Sequence, residues 1–286
     1  MQLGDMTIHL IHAGLTQADA GGPFGLVPRA LFKPYFEPDD NNFVPMSLNC
    51  LYIQTPTQKI LVDTGLGNRL DERGRANWGI TYPYGTLSDG LARIGVVPSD
   101  INLVINTHLH ADHCAGNTSF GEDGHTIIPT FPNAEYVVQA REFMDATHPN
   151  ERTRSTYISS NWDVLRQTGQ LRLLYGDTAL GDGILGMIAS GHTRGHMAIR
   201  LESAGQHAAF VCDMASFAVH FEKLAWMTAY DIEPLVTLET KRKWQRWAFD
   251  TNAVLIFPHD TKRPMGKLTR NAKNLPEIIP LDEKWA

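Results

Sequence analysis

The sequence predicts a mixed α/β domain whose strands end in loops that carry metal-binding side chains. Short runs of aliphatic and β-branched residues recur along the chain, and segments with helical spacing of apolar residues separate them. His or Asp residues follow five of these runs within a few positions, namely Asp63, 108–113, His192, Asp213 and His259. Strands that share a sheet edge place such loops on one side of a molecule, where clefts form. The pattern therefore predicts one site built from several strand ends.

The N-terminal part predicts three strands around an irregular segment. Strands are expected at 7–11, 47–54 and 59–62, and the hairpin-like signal Thr55-Pro56-Thr57 lies between the last two. Residues 13–45 are rich in Gly, Pro, Asp and Asn, yet they also contain several aromatic residues. Long irregular segments are often lids or binding loops. A strap packed flat on the core or on a second subunit fits the composition equally well.

The rest of the chain predicts helices that alternate with strands. Thr86 and Asp89 have the spacing of a capping box, which marks the start of a helix. Helices are also expected at 140–146, 151–167 and 233–249. Strands are expected at 101–105, 136–138, 171–174, 184–189, 197–201, 208–211 and 253–257. The segment from 261 onwards is polar and contains three prolines, so it is expected to run over the surface.

Composition limits the class of protein. A chain of 286 residues can bury a sizeable core, and we expect one domain over 1–286. The net charge of -6 argues against a nucleic-acid partner, since such proteins usually carry a basic stripe. The basic run 241–243 is interpreted as the solvated face of a helix.

Three cysteines do not make a disulfide framework. The N-terminus lacks signal-peptide character and no apolar run has membrane-spanning length, so a cytoplasmic protein without membrane contact is expected.

Residues 106–117 carry the strongest chemical signal. His108, His110, Asp112 and His113 lie within six positions, directly after an apolar run. Imidazole and carboxylate groups are ligands for Zn, Fe, Co or Mn. Alternate residues of an extended segment point the same way, so His108 and His110 can face one ion. Asp112 and His113 are adjacent in the chain, so their side chains are expected to point in different directions. This favours two metal ions over one.

The candidate ligands divide into two groups. Those expected to hold one ion are His108, His110 and His192. Those expected to hold the second ion are Asp112, His113 and His259. Asp213 has two carboxylate oxygens and is expected to bridge the two ions. His196 is interpreted as a structural residue or as one that orients a ligand, and the other histidines as structural.

The order of these residues resembles the metallo-β-lactamase superfamily. The resemblance rests on His108-x-His110-x-Asp112-His113, then Gly191-His192, Asp213 and His259, and it extends to the upstream motif 61–65. It covers about residues 60–260 and implies a four-layer αββα sandwich with a dinuclear metal site at one edge of the two sheets. It also implies two divalent ions, zinc first and Co, Fe or Mn as alternatives. In that family the Asp of the first motif orients a ligand, which gives this role to Asp63.

Several features favour one branch of the family. Asp213 stands where true β-lactamases of this fold generally have Cys, and His110 stands where the redox di-iron branch has Glu. The nuclease branches carry an inserted domain or a basic appendage, which this acidic chain lacks. The irregular N-terminal segment and the ending 257–260 are most similar to quorum-quenching N-acyl homoserine lactonases. Many of these have Tyr three residues after the bridging Asp, where this chain has Ser216, so either Tyr230 or another tyrosine replaces it or the substrate differs.

The resemblance implies a dinuclear metallohydrolase that opens a lactone ring by attack of a hydroxide held between the metal ions. Asp112 and Asp213 are the expected catalytic residues, and a small lactone or ester is the expected partner. An organophosphate or aryl-ester hydrolase and a glyoxalase II-like thioesterase are the alternatives. The complete ligand set argues against a regulatory protein with a vestigial site, and the apolar N-terminal segment suggests a homodimer. The residues expected to contact substrate are Phe24, Phe32, Trp78, Tyr84, Phe217, Trp226 and Tyr230.

Overall fold

The computed structural model describes residues 1–281, and these contain the following strands and helices. The strands are β1 (Gln2–Leu3), β2 (Met6–Asp19), β3 (Phe43–Gln54), β4 (Lys59–Val62), β5 (Leu103–Ile105), β6 (Thr118–Phe120), β7 (Ile127–Pro129), β8 (Glu135–Gln139), β9 (Leu171–Leu174), β10 (Thr178–Gly181), β11 (Ile184–Ile188), β12 (Met197–Ser203), β13 (Gln206–Phe210), β14 (Val254–Ile256), β15 (Met265–Arg270) and β16 (Pro276–Pro280). The α-helices are α1 (Gly21–Phe24), α2 (Arg29–Phe32), α3 (Glu72–Trp78), α4 (Leu87–Arg93), α5 (Ala111–Cys114), α6 (Ala140–Thr147), α7 (Asp163–Gln167), α8 (Ala218–Glu222) and α9 (Pro234–Thr251).

Two mixed sheets of seven strands each form the centre of the molecule. The first has the order β1-β2-β3-β4-β5-β8-β9, and the second the order β10-β11-β12-β13-β14-β15-β16. In the first sheet β4, β5, β8 and β9 run parallel, whereas in the second sheet β13 and β14 are the parallel pair. The carboxyl ends of neighbouring parallel strands lie at the same sheet edge, so the loops that follow them come together.

The main hydrophobic core lies between the two sheets. In β4, Ile60 and Val62 belong to this core, while Leu61 packs on the opposite face of the sheet. Side chains alternate in this way along a strand, and here both faces are covered, which explains the continuous apolar runs in the sequence. Residues from the second sheet that complete the core include Ile199, Phe210 and Ile256.

Helices cover the outer face of each sheet. On the first sheet, Leu87 and Leu91 of α4 pack in one cluster with Leu61. On the second sheet, Trp244 and Ala248 of α9 pack in another. The layers are therefore helix, sheet, sheet, helix, and the four-layer sandwich expected from the sequence is confirmed. The capping box at α4 is also confirmed, because the Thr86 side chain accepts a hydrogen bond from the Asp89 backbone N–H.

The predicted irregular segment 13–45 is shorter in the structure. Strand β2 continues to Asp19 and β3 begins at Phe43, and the two pair across a bulge. The irregular part is thus 20–42, and it contains the short helices α1 and α2. Gly14 and Pro45 are typical of loops, so the sequence did not predict that the strands extend past them. In the structure, the bulge and the φ of 149° at Gly14 allow the pairing of β2 with β3 to continue.

Two other predicted segments differ from the structure. The helix predicted at 151–167 is present only as α7, and turns occupy most of the earlier residues. The polar segment after 261 was expected to lie on the surface, but β15 and β16 extend the second sheet there. Only a few residues of these two strands are buried, among them Met265, Leu268 and Ile278, so their polar composition hides the strand pattern. Among the described residues, no helix combines the length and apolar character needed to span a bilayer.

The interpretation of 241–243 as a solvated basic face is wrong for Lys241. Its side chain is fully buried, and its Nζ donates hydrogen bonds to the backbone oxygens of His220 at 3.1 Å and Trp226 at 2.6 Å. Burial lowers the pKa of this amine to about 7. Lys241 therefore connects α9 by hydrogen bonds to the segment that follows Phe217.

This buried amine predicts a pH-dependent stability. Between pH 7 and about 10 the unfolded chain holds a proton that folded Lys241 has released, so stability should rise with pH in that window. We expect the free energy of unfolding of wild type, measured relative to Lys241→Met, to rise by up to about 1.4 kcal/mol per pH unit. Urea unfolding of both proteins at several pH values measures the difference. Parallel stability curves for the two proteins would contradict the prediction.

Candidate metal centre

Five strand ends meet at one edge of the sandwich and bring the predicted ligands together. In the first sheet, β4 ends at Asp63 and β5 leads into residues 108–113. In the second sheet, β11 leads to His192, β13 to Asp213 and β14 to His259. Four of these strands, β4, β5, β13 and β14, have a parallel neighbour within their sheet, which aligns their carboxyl ends.

One group of side chains comes from both sheets, and we call it the first ligand set. It consists of His108, His110 and His192, whose potential ligand atoms all lie within 4.8 Å of one another. The Nε2 of His192 is 3.1 Å from Nδ1 of His110. All three side chains are buried. This is the grouping that the sequence predicts for one ion.

The second ligand set consists of Asp112, His113 and His259, also within 4.8 Å of one another. The Nε2 atoms of His113 and His259 are 3.2 Å apart. Asp112 Oδ2 lies 3.7 Å from each of these nitrogens. Asp112 is the more exposed member, with 16% of its side chain accessible, so it borders the cleft.

Asp213 lies between the two ligand sets. Its Oδ2 is 3.3 Å from Nε2 of His192 in the first set and 3.3 Å from Nε2 of His113 in the second. Its Oδ1 is 3.1 Å from Nε2 of His259. Burial alone would raise the pKa of Asp213, but the charges of His259, His113 and His192 hold it well below its usual range. An ionised carboxylate in this position is suited to bridge two cations.

The chemistry of the donors fits divalent metal ions. Ring nitrogens of neighbouring histidines face one another at hydrogen-bond distance. A bound cation would accept the lone pairs of both nitrogens, which accounts for this arrangement. Within residues 1–281, the buried Nε2 of His108 has no hydrogen-bond partner, which is costly unless a ligand takes it. Burial and then the neighbouring imidazoles hold the pKa of His108 and His110 well below the usual range, so both rings offer lone pairs. Imidazole and carboxylate donors are typical of zinc, iron, cobalt and manganese sites.

Asp63 lies behind the second ligand set, at the position predicted for a residue that orients a ligand. Its Oδ2 is 2.9 Å from Nδ1 of His113, and its Oδ1 accepts a hydrogen bond from the Thr107 backbone N–H at 2.9 Å. Asp63 has a φ of 57° and the neighbouring Cys212 a φ of 47°. Left-handed backbone at residues other than glycine costs on the order of 1–3 kcal/mol and concentrates at functional sites.

The structure adds an orienting residue that the sequence did not reveal. Asp231 is buried, and its Oδ1 is 2.9 Å from Nδ1 of His192 and accepts a hydrogen bond from Thr228 Oγ1 at 2.8 Å. Its position in a loop without a motif gave no signal. A backbone oxygen does the same for His259, whose Nδ1 donates to the carbonyl oxygen of Ser47 at 2.7 Å. Such partners fix the tautomer and the direction of a ligating imidazole.

His196 lies beside the first ligand set. Its Nδ1 donates to the Ala189 carbonyl oxygen at 3.1 Å, and its ring centroid is 5.3 Å from that of His108. Ser216 occupies the position, three residues after Asp213, at which many of the lactonases have a tyrosine. Its Oγ instead donates a hydrogen bond to Asp213 Oδ1 at 3.1 Å, so it helps to orient the carboxylate.

A cleft of about 340 Å³ opens onto the ligands, and the predicted substrate contacts divide around it. Trp78 and Tyr230 line this cleft together with members of both ligand sets. The prediction was wrong for three aromatic residues, because they are buried together in a separate cluster with rings 4.3 Å and 5.6 Å apart and do not reach the cleft. These three residues are Phe24, Phe32 and Phe217.

The other two predicted contacts also lie outside the cleft. Tyr84 is largely exposed and packs edge to face against His12, with ring centroids 5.1 Å apart. Trp226 lines a larger cavity of about 560 Å³ next to Leu26 and Leu31, which contains none of the predicted ligands. Sequence reasoning could identify aromatic loops but not the direction of each ring, which depends on packing between distant segments.

The fold and the ligand sets define a metal-dependent hydrolase class. Residues 44–226 match the family model of the metallo-beta-lactamase superfamily, and the chain belongs to this family. Members of the family use divalent metal ions, and the two ligand sets are the residues of this chain that could hold them.

Known lactonases are among the relatives. An N-acyl homoserine lactonase from Bacillus sp is 25% identical over 241 aligned residues, in a match that covers 80% of this chain and 86% of that protein. The N-acyl homoserine lactonase AttM from Azorhizobium caulinodans is 26% identical, over 73% of this chain and 80% of that protein.

Solved structures share the whole fold. A probable metal-dependent hydrolase from Staphylococcus aureus superimposes with a TM-score of 0.88 at 30% identity, covering 99% of this chain and 100% of that one. AidC, a dizinc quorum-quenching lactonase, superimposes with a TM-score of 0.79 at 21% identity, covering 99% of this chain and 97% of that one.

Proposed function

We propose that this chain is a dinuclear metal-dependent hydrolase that opens the lactone ring of N-acyl homoserine lactones. The observation that carries the proposal is the position of Asp213 between two complete ligand sets at the floor of a cleft. The relatives that are N-acyl homoserine lactonases support the substrate class. Zinc is the proposed ion, and cobalt, iron or manganese suit the same donors.

The roles of the residues follow from their positions. A pair of bound divalent ions would supply an ionised water near neutral pH and polarise the substrate carbonyl. The ligand sets would hold the ions beside the cleft, and Asp63 and Asp231 each orient one imidazole, in the second and first set respectively. Asp112 borders the cleft, so its carboxylate can accept a proton and return it to the leaving alkoxide.

The walls of the cleft support a substrate with an apolar tail. Phe43, Met46 and Trp78 line it with apolar surface, and Tyr230 and Thr156 also border it. A homoserine lactone ring would lie over the ligands, and its acyl chain would contact the apolar wall. Burial raises the pKa of Tyr230 to about 12, so its hydroxyl stays protonated and can donate a hydrogen bond to a carbonyl oxygen.

A comparison of substrates tests the proposal. Zinc-loaded protein is assayed with N-hexanoyl homoserine lactone, with paraoxon and with S-lactoylglutathione, and kcat/KM is compared. We expect the lactone to be preferred by at least about a hundredfold, which is the discrimination that a few kcal/mol of selective binding produces. Higher kcat/KM on paraoxon would favour an organophosphate hydrolase, and higher kcat/KM on the thioester a glyoxalase II-like enzyme. Either result would replace the proposed substrate. The cytoplasmic location and the homodimer stay predictions.

A further inference from the structure

Glu142 is a buried carboxylate that lies behind the first ligand set rather than in the cleft. It belongs to α6, and its side chain has no solvent exposure. Its Oε1 accepts a hydrogen bond from the Leu109 backbone N–H at 3.0 Å and another from the Tyr157 hydroxyl at 3.0 Å. Its Oε2 accepts a hydrogen bond from the Thr193 hydroxyl at 2.5 Å.

Each of these three donors is next to a member of the first ligand set. Leu109 lies between His108 and His110 in the chain, and Thr193 follows His192. The Tyr157 ring centroid is 5.3 Å from that of His110, with the ring planes tilted by 48°, so the third donor packs beside this member of the set. One carboxylate thus connects both chain segments that supply the first ligand set.

The backbone of α6 also contacts the loop that carries His192. A Cβ atom at Gly195 would lie 2.2 Å from the Glu142 backbone nitrogen. Only glycine allows this close approach of loop and helix. The loop is therefore held against Glu142 by the Thr193 hydrogen bond and by direct backbone packing.

Burying a carboxylate is costly, and an apolar side chain would fill this space without that cost. Three donors compensate the charge here, and charge-assisted hydrogen bonds are stronger and more directional than neutral ones. Two of the three donors belong to the loops that carry the first ligand set, and the third packs beside His110. This buried carboxylate is therefore expected to fix the geometry of those loops.

The second ligand set has separate supports. Its imidazoles are oriented by Asp63, at 2.9 Å from His113, and by the Ser47 carbonyl oxygen, at 2.7 Å from His259. Neither group shares a hydrogen bond with Glu142 among the described residues. The Thr107 hydroxyl lies 3.0 Å from Asp63 Oδ1 and 3.1 Å from Nδ1 of His108, so the two sets are joined there. Glu142, by contrast, accepts hydrogen bonds only from residues beside the first ligand set among the described residues.

We propose that Glu142 is a positioning residue for the first ligand set, and that its loss weakens the binding of one metal ion while the other binds normally. The inference rests on the metal centre of the proposed function but not on the identity of the substrate. Partners that orient metal ligands typically contribute a factor of 10–100 to metal affinity.

The test is metal binding by Glu142→Gln, measured by competition with a chromophoric zinc chelator. Glutamine keeps the size of the side chain, but its amide nitrogen cannot accept the hydrogen bond from Thr193. We expect the affinity for one of two zinc equivalents to fall by about 10–100-fold and the other to stay within about twofold of wild type. Thr193→Val removes one donor and should weaken the same equivalent by less. Glu135→Gln, at an exposed glutamate paired with Arg172, is the matched control and should bind both equivalents like wild type.

The outcomes separate this inference from the proposed function. Wild-type affinities for both equivalents in Glu142→Gln and Thr193→Val would overturn the inference alone. An equal loss of affinity for both zinc equivalents, together with a lower Tm of the metal-free variant, would indicate that Glu142 contributes only to the packing of the fold. That result would also overturn the inference. If Glu142→Gln does not fold, Thr193→Val decides between these results. Wild-type protein that binds less than about one equivalent would overturn the proposed function together with this inference, whereas inactivity towards lactones would overturn only the substrate.

Discussion

Replacement of Asp213 with alanine is expected to abolish hydrolysis and to lower the metal content. The carboxylate lies within 3.3 Å of an imidazole nitrogen in each ligand set, so its removal separates two half-sites and leaves buried imidazoles without their shared anion. We expect kcat/KM to fall by at least about a thousandfold, which corresponds to ~4 kcal/mol of transition-state stabilisation. Steady-state kinetics on a lactone and elemental analysis of the purified protein measure the two effects.

Two controls accompany this variant. Asp250→Ala removes an exposed carboxylate near the end of α9, and it should leave kinetics and metal content unchanged. His113→Ala removes a member of the second ligand set and should reproduce the loss seen with Asp213→Ala. A variant of Asp213 that keeps both full activity and two ions would contradict the bridging role and with it the proposed mechanism.

Removal of the metal ions is expected to inactivate and destabilise the protein reversibly. Without cations, the imidazoles and carboxylates of both ligand sets remain buried close to one another, and binding energy for the folded state is lost. Ions present at about a thousand times their dissociation constant stabilise the folded state by ~4 kcal/mol, so Tm should fall by on the order of 10 °C. Thermal unfolding before and after dialysis against a chelator measures the shift, and added zinc should restore both Tm and activity.

Asp213→Ala provides the control for the stability effect. Because that variant should bind little metal, the chelator should hardly change its Tm. A metal-free wild-type protein with unchanged Tm and full turnover would show that hydrolysis does not use this centre. A large loss of activity with no change in Tm would mean that the ions bind too weakly to contribute to stability.

The residues at 108–113 could be recognised from the sequence because their chemistry is local. Two histidines at alternate positions and an adjacent Asp and His are informative at short spacing, whatever the rest of the fold does. A second regularity indicated His192, Asp213 and His259, since each lies within four residues of the end of an apolar strand. The family model and the structure agree with the sandwich that this order implied.

Other properties depend on contacts between residues far apart in the chain. Asp231 and Glu142 carry no motif, and their partners in the ligand loops lie 39 positions from Asp231 and 33 and 51 positions from Glu142 along the sequence. The apolar wall was assigned in part to the wrong aromatic residues, because whether Phe24 packs inward or lines a cleft depends on Phe32 and Phe217. The sequence by itself predicted the candidate ligands, since their spacing is local, and it determined the fold class through the family resemblance that the order of these residues carries. Tertiary structure decided the residues that orient the ligands and the shape of the cleft, since burial and hydrogen-bond direction arise only when separate segments pack together.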